Sequence, residues 1–350
     1  MTEIQAVMTR VTRTEMVGEH LVRVSVAGEE LWTLPWGVSG PGPRADAYFK
    51  VLIPAPGRDH VRIDTSDMSR WRQEFLSRPE DERGWIRTYT LRDARVLTGG
   101  HGDVAEAVPE MDIDVVVHED EVHGGLGLGA RWGSELAPGD TVQLMVPSAS
   151  GAWWAGWDEH RARNNRVVIA ADETALPAAA AIVDCVDRSI SLRDDSVHET
   201  GAAQSLHVAV EVPVHGDATM PAGPAALSRG VMTDGDIRVT LESGTELTWT
   251  WLARGETAAR NELLESWLSR QLEGREGTAR HAASSAVDER EDDTGDFVWA
   301  TADATGAGPY WFLAAESSAV KSLRRMCVAH GVQKTDISFM GYWKRGRTTE

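Results

Sequence analysis

The chain has only two cysteines and four lysines among its 350 residues, and no apolar run long enough to cross a membrane. The longest apolar stretch, residues 176–183, stops at Asp184, well short of the roughly 18 residues a transmembrane helix needs. Residues 1–16 are polar, carry Glu3, Arg10 and Arg13, and have no apolar core of a secretory signal, so a cytoplasmic location without membrane insertion is expected. Cys185 and Cys327 lie far apart in helix-patterned segments. They form neither a metal-spacing motif nor a disulfide framework and are expected to be small buried hydrophobes. Positive charge is in deficit: the formal net charge is −19. That excludes nucleic acid, whose phosphates need clustered Lys and Arg. An anionic small molecule would require a locally basic pocket. No G-x-S-x-G elbow is present, and no His/Cys/Asp group has zinc spacing; His118 and His123 form only a weak pair.

Patterning divides the chain in two. Period-two alternation marks strands at residues 7–14, 21–26, 48–53, 86–96, 111–118 and 141–146, separated by Gly/Pro clusters. Six short antiparallel strands predict a small closed barrel over residues 1–150, with one helical interruption at 129–136. Residues 151–165 are polar and aromatic and read as a linker. Residues 166–350 alternate strands and helices, which predicts a parallel-sheet α/β domain. Strands are expected at 166–171, 206–212, 238–241, 247–252, 297–301, 310–315 and 336–343. Helices are expected at 176–189, 258–272 and 317–330, the last closed by Gly331. Residues 194–204 and 273–296 are polar and poor in apolar side chains, as in exposed loops. A barrel followed by such a sheet is the ferredoxin-reductase-like arrangement of flavin reductases, although fold alone does not give function.

The segment Arg87-Thr88-Tyr89-Thr90-Leu91-Arg92 narrows the reading. On a strand, Arg87 and Tyr89 share one face, and Thr88, Thr90 and Arg92 the other. An arginine can grip a pyrophosphate with paired donors. A tyrosine ring can stack on an isoalloxazine, and a threonine hydroxyl or N–H can reach the flavin N5 and O4 edge. The same six residues also suit an ordinary strand of mixed polarity. Downstream, a strand ending in His118 precedes Gly124-Gly125, Gly127, Gly129, Ala130 and Arg131-Trp132. Glycines opening a helix make an anion site from free backbone N–H groups. In series, the two segments favour FAD. At the start of the second half, Asp172-Glu173-Thr174 lacks G-x-G-x-x-G, and its carboxylates would repel a pyrophosphate, so Asp172 or Thr174 reads as a helix cap.

These residues, with Pro138-Gly139-Asp140, Ala171-Asp172-Glu173-Thr174-Ala175-Leu176-Pro177-Ala178 and the final Gly341-Tyr342-Trp343-Lys344-Arg345-Gly346, resemble the siderophore-interacting protein family of FAD-dependent ferric-siderophore reductases. The resemblance runs over nearly the whole chain. It implies that Arg87, Thr88, Tyr89 and Thr90 hold the flavin, Val116 and His118 border the adenosine, and Gly129, Ala130 and Trp132 line the pyrophosphate turn. It implies that Thr174 approaches the flavin from the second domain. Lys50, Arg131, Lys344 and Arg345 become candidates for binding an anionic ferric siderophore, although Lys50 equally reads as a solubilising edge-strand lysine and Arg345 as part of a solvated tail. The implied donor is NADH, NADPH or reduced ferredoxin. A reductase of that architecture with another acceptor, and a non-catalytic siderophore-binding protein, are the alternative readings.

Overall fold

The computed structural model describes residues 4–34, 45–64, 70–98, 107–117, 124–148, 154–188, 203–273, 290–291 and 298–345. It divides into two compact units, Met1–Ala155 and Gly156–Arg345.

In the first unit, β1 (Ile4–Met16), β2 (Leu21–Ala27), β3 (Tyr48–Ile53), β4 (Trp85–Thr98), β5 (Ala107–Val116) and β6 (Thr141–Pro147) close into a barrel in the order β1-β2-β5-β4-β3-β6. All neighbours are antiparallel. Alternate residues point inward, and Val24, Phe49, Val51, Leu91, Ile113 and Leu144 fill the interior. Closure leaves no free sheet edge, which removes the usual route to edge-to-edge association. Two short helices depart from the all-β reading of this half: α1 (Trp71–Ser77) and α2 (Glu80–Arg83). Pro79 precedes α2, and Glu80, Asp81 and Glu82 occupy its first turn, where proline and acidic side chains suit a helix start. Phe75 of α1 is buried with Leu52, Ile86 and Met145 on the outward side of the barrel. The interruption expected at 129–136 is α3 (Leu128–Glu135). Its Leu128 and Trp132, with Leu136 just beyond it, pack against the barrel interior.

The second unit begins before the expected strand, because residues 156–165 are built into it rather than spanning a gap. Asp158 accepts the N–H groups of His160 and Arg161 and caps α4 (Glu159–Ala162). Arg161 is buried and donates to Asp336 Oδ1 at 2.7 Å and to the Gly308 carbonyl at 3.1 Å. Strands β7 (Arg166–Asp172), β8 (Ser205–Val212), β9 (Val231–Thr233), β10 (Asp236–Thr240), β11 (Glu246–Ala253), β12 (Arg290–Glu291), β13 (Val298–Ala300), β14 (Tyr310–Glu316) and β15 (Ile337–Trp343) form one sheet, ordered β12-β13-β15-β14-β7-β8-β11-β10-β9. The five central strands are parallel. Antiparallel pairs extend both flanks; β9 and β12 are too short to show a hydrophobic period. Helix α5 (Leu176–Arg188) is buried along most of its length. Helices α6 (Glu262–Glu273) and α7 (Ser317–Ala329) share a core with Val168, Ala209, Trp311, Leu313 and Phe339. Cys327 lies in that core, Cys185 is half-buried in α5, and neither is in a disulfide. Among the described residues no helix is long and apolar enough to cross a membrane.

Candidate functional site

The site is built on β4. In its register with β3, Arg87 stands opposite Val51 and Tyr89 opposite Phe49. Val51 and Phe49 belong to the barrel interior, and opposed residues share a face, so Arg87 and Tyr89 point inward. Arg87 Nη1 donates to the Ile86 carbonyl at 2.9 Å. The Tyr89 ring lies against Trp132 of α3, centroids 5.8 Å apart and planes inclined by 37°. A Cβ on Gly129 would stand 2.9 Å from the Tyr89 hydroxyl, so any larger residue there requires the end of the Tyr89 side chain to shift. Burial pushes the Tyr89 phenol up to about 12, against the lowering effect of Arg87; at neutral pH it is an O–H, able to donate.

The other face of the same strand pair carries Lys50, Thr88 and Thr90. Lys50 and Thr88 are register partners, and Lys50 Nζ donates to Thr88 Oγ1 at 3.1 Å. Thr90 is buried opposite Tyr48, whose ring stacks on Trp154 with centroids 5.8 Å apart. The residues picked from sequence are thus divided by the pleat into an inward pair, Arg87 and Tyr89, and an outward set. Arg92 falls where the β4–β5 register shifts, between Leu91 and Asp93. It is buried and joins Arg23 at Asp114: Arg23 grips that carboxylate with bonds of 2.7 and 2.8 Å, and Arg92 Nε is 4.0 Å from it. Beside them Arg95 holds Asp112 with bonds of 2.6 and 2.9 Å.

The N-terminus of α3 supplies the third component. Gly124 and Gly125 have positive φ, a backbone region that costs glycine little. Gly127 is the N-cap, and its carbonyl accepts the Arg131 N–H at 2.9 Å. Leu128, Gly129 and Ala130 form the first turn, whose N–H groups have no intrahelical partner. Gly133, one turn on, lies against Val115, where a Cβ would meet Cγ1 at 2.6 Å. Arg131 is exposed, with Nη2 3.5 Å from the Leu126 carbonyl. Val116 is half-buried opposite Leu21. His118 lies outside the described residues. An inward guanidinium, a helix start of bare N–H groups and two adjoining aromatic rings form a donor set that fits a flavin dinucleotide. Among the described residues no group of His, Cys, Asp or Glu could hold a metal.

Within the second unit, Thr174 is half-buried in the turn leading to α5. Its N–H and hydroxyl both donate to Asp172 Oδ1, at 3.0 and 2.6 Å. Asp172 Oδ2 accepts the Glu316 N–H at 2.9 Å and the Trp343 indole N–H at 3.0 Å. Asp172 is fully buried, and burial with the neighbouring Glu173 raises its carboxyl to about 6 despite these donors. Glu173 is held low, because bonds to Arg254 and the charge of Arg260 outweigh its burial. Arg254 also reaches Glu211 Oε1 at 3.2 Å, and the Arg260 guanidinium lies 4.8 Å from the centre of the Trp343 ring. No spacing in the sequence announces this network, since its members come from the ends of separate strands. Lys344 is half-buried; Arg345 is exposed, and its N–H is 3.3 Å from Glu316 Oε1.

Two family models match the chain: the siderophore-interacting FAD-binding domain over residues 10–151 and the siderophore-interacting protein over residues 218–346. Uncharacterized proteins of Mycobacterium tuberculosis and Mycobacterium bovis are 26% identical over 176 residues, 50% of this chain and 52% of theirs. The chain therefore matches about half the length of these curated relatives. A siderophore utilization protein from T. fusca superposes with a TM-score of 0.54 at 20% identity, covering 99% of this chain and 95% of that one. The siderophore-interacting protein SipS from Aeromonas hydrophila gives 0.53 at 19% identity, over 98% and 93%. The FAD/NAD-binding domain of a nitric oxide dioxygenase from Vibrio cholerae gives 0.50 at 12%, over 95% and 96%. At these identities the likeness is one of fold, a ferredoxin-reductase-like barrel and α/β unit. The two matched models and the fold together make the chain a member of the siderophore-interacting protein family, with its first unit the family's FAD-binding domain.

Proposed function

We propose that the protein is a cytoplasmic, FAD-dependent reductase of ferric siderophores. The observation that carries the flavin part is the approach of the Tyr89 hydroxyl to Gly129 in the first turn of α3, with Arg87 on the same face of β4 as Tyr89. Arg87 and the N–H groups of Leu128 to Ala130 hold the pyrophosphate. Tyr89 and Trp132 supply aromatic surface, Thr88 and Thr90 polar contacts to the flavin edge, and Val116 and His118 the adenosine border. Thr174 offers lone pairs only, because its hydroxyl proton is directed at Asp172. When bound, FAD supplies the means to accept an electron pair and deliver single electrons.

The substrate part rests on charge and family. Ferric siderophores with hard oxygen ligands are often anionic, and reduction to the softer Fe(II) weakens the hold of those oxygens. Lys50, Arg131, Lys344 and Arg345 are the cations assigned to substrate. The protein contributes proximity and charge complementarity rather than an acid or base.

The test is anaerobic. FAD-loaded protein is given NADH, NADPH or reduced ferredoxin in turn, then a ferric siderophore, and Fe(II) is trapped with a chromogenic chelator. Fe(II) appearing faster than with free flavin is the expected result. Flavin that becomes reduced without exceeding that control would leave a reductase with another acceptor. A chain that takes up no FAD would leave a siderophore-binding protein.

A further inference from the structure

We infer that the second unit does not hold a nicotinamide dinucleotide by its pyrophosphate at the carboxyl edge of its parallel strands, because the chain's own carboxylates already occupy the helix starts there. The inference rests on the flavin reading above and narrows the class of electron donor.

Open α/β sheets bind ligands beyond the carboxyl ends of their strands, where the strand order reverses. A pyrophosphate is held there by N–H groups at a helix start. In this sheet the chain runs from β7 outward to β8 and β11, then returns to β14 on the other side of β7. The reversal therefore lies between β7 and β14, and it is bridged: Asp172, the last residue of β7, accepts the Glu316 N–H from the end of β14.

Each helix that follows one of these strands is served in the same way. In the turn into α5, the Thr174 N–H goes to the Asp172 carboxylate and the Ala175 N–H to the Asp172 carbonyl. The second residue of α5 is Pro177, which has no N–H. At α6, Glu211 accepts the Asn261 N–H at 2.6 Å and the Leu264 N–H at 3.0 Å. At α7, Glu316 accepts the Ser318 N–H at 2.6 Å and the Ala319 N–H at 3.1 Å. Asp172, Glu211 and Glu316 are all buried. The two nearby guanidiniums are committed: Arg254 to Glu173 and Glu211, Arg260 to Glu173. A pyrophosphate at this edge would meet like charges in a poorly solvated setting and compete with them for every one of these donors. The nicotinamide dinucleotide implied by the fold does not fit here, so electrons for the flavin come from a donor held by other means.

The experiment is amide hydrogen exchange on the full chain loaded with FAD, read at residues 173–176, 261–264 and 317–319. NADH, NADPH and ADP-ribose are each added at about 5 mM, well above a Kd near ~1 mM. No slowing at any of the three segments is expected. Saturable slowing at any one of them by any of these ligands overturns the inference. FAD titrated into the flavin-free chain is read on the same map at residues 128–131. Failure there would sink the flavin reading and leaves the result at the sheet edge separately legible.

Discussion

The Tyr89 hydroxyl stands 2.9 Å from the point where a Cβ on Gly129 would lie. Alanine is ordinarily the better helix residue, by up to ~1 kcal/mol. At this position it would push the Tyr89 ring away from the first turn of α3. Gly129→Ala is expected to weaken FAD binding about tenfold, roughly 1.4 kcal/mol, with little change in thermal stability. Flavin fluorescence quenching gives the affinity; an unchanged Kd would show that the close approach has no part in the site.

Lys50 lies on the opposite face of the strand pair from Arg87 and Tyr89, bonded to Thr88 Oγ1. Its charge is assigned to substrate, and Thr88 keeps its hydroxyl without it, so Lys50→Ala is expected to leave flavin content unchanged and stability within about 0.5 kcal/mol. Reduction of an anionic ferric siderophore should slow severalfold, and the difference from wild type should shrink as salt is raised. Loss of flavin from the variant would assign Lys50 a structural role instead.

Asp172 yields a pH dependence with a definite sign. Its carboxyl is raised to about 6, by burial first and by Glu173 second. The folded chain thus binds this proton more tightly than the unfolded chain, and the stability it contributes is full below about pH 4 and lost as pH rises to about 6. Relative to Asp172→Asn, in which this titration is absent, wild type should gain roughly 2 kcal/mol between about pH 6.5 and 4.5. Glu173 is held low and works in the other direction, its stabilisation being lost as pH falls through its lowered value. Denaturant unfolding across the window measures the difference; a flat difference would mean that Asp172 titrates normally.

Gly341, on β15, faces the start of α7. A Cβ there would meet Ser317 Oγ at 2.5 Å and Ser317 Cα at 3.1 Å, and that hydroxyl already donates to the Trp343 carbonyl at 2.9 Å. Gly341→Ala should cost about 1–3 kcal/mol through overpacking. Adding Ser317→Gly should restore part of the loss, since the two positions are in contact. Additive losses in the double variant would contradict this reading.

Local pattern alone carried much of this architecture. The alternation in residues 86–96 and 111–118 is enough to define β4 and β5, because a barrel strand with one face in the core must repeat every second residue. The same alternation puts Arg87 and Tyr89 together and apart from Thr88. The glycines before Arg131 and Trp132 likewise mark a helix start. Helices α1 and α2 escaped because each is short and only Phe75 is buried in them, so neither shows a full helical period.

By itself the sequence determined the division into barrel and α/β unit, the face shared by Arg87 and Tyr89, and the family, all of which depend on residues adjacent or periodic along the chain. Only the tertiary structure decided that Tyr89 meets Gly129, that Lys50 is tied to Thr88, that Glu211 serves the start of α6, and that Asp172 bridges to the end of β14. Those relationships join residues separated by 38 to 144 positions. Sheet register and helix packing bring them together, and no local spacing encodes that.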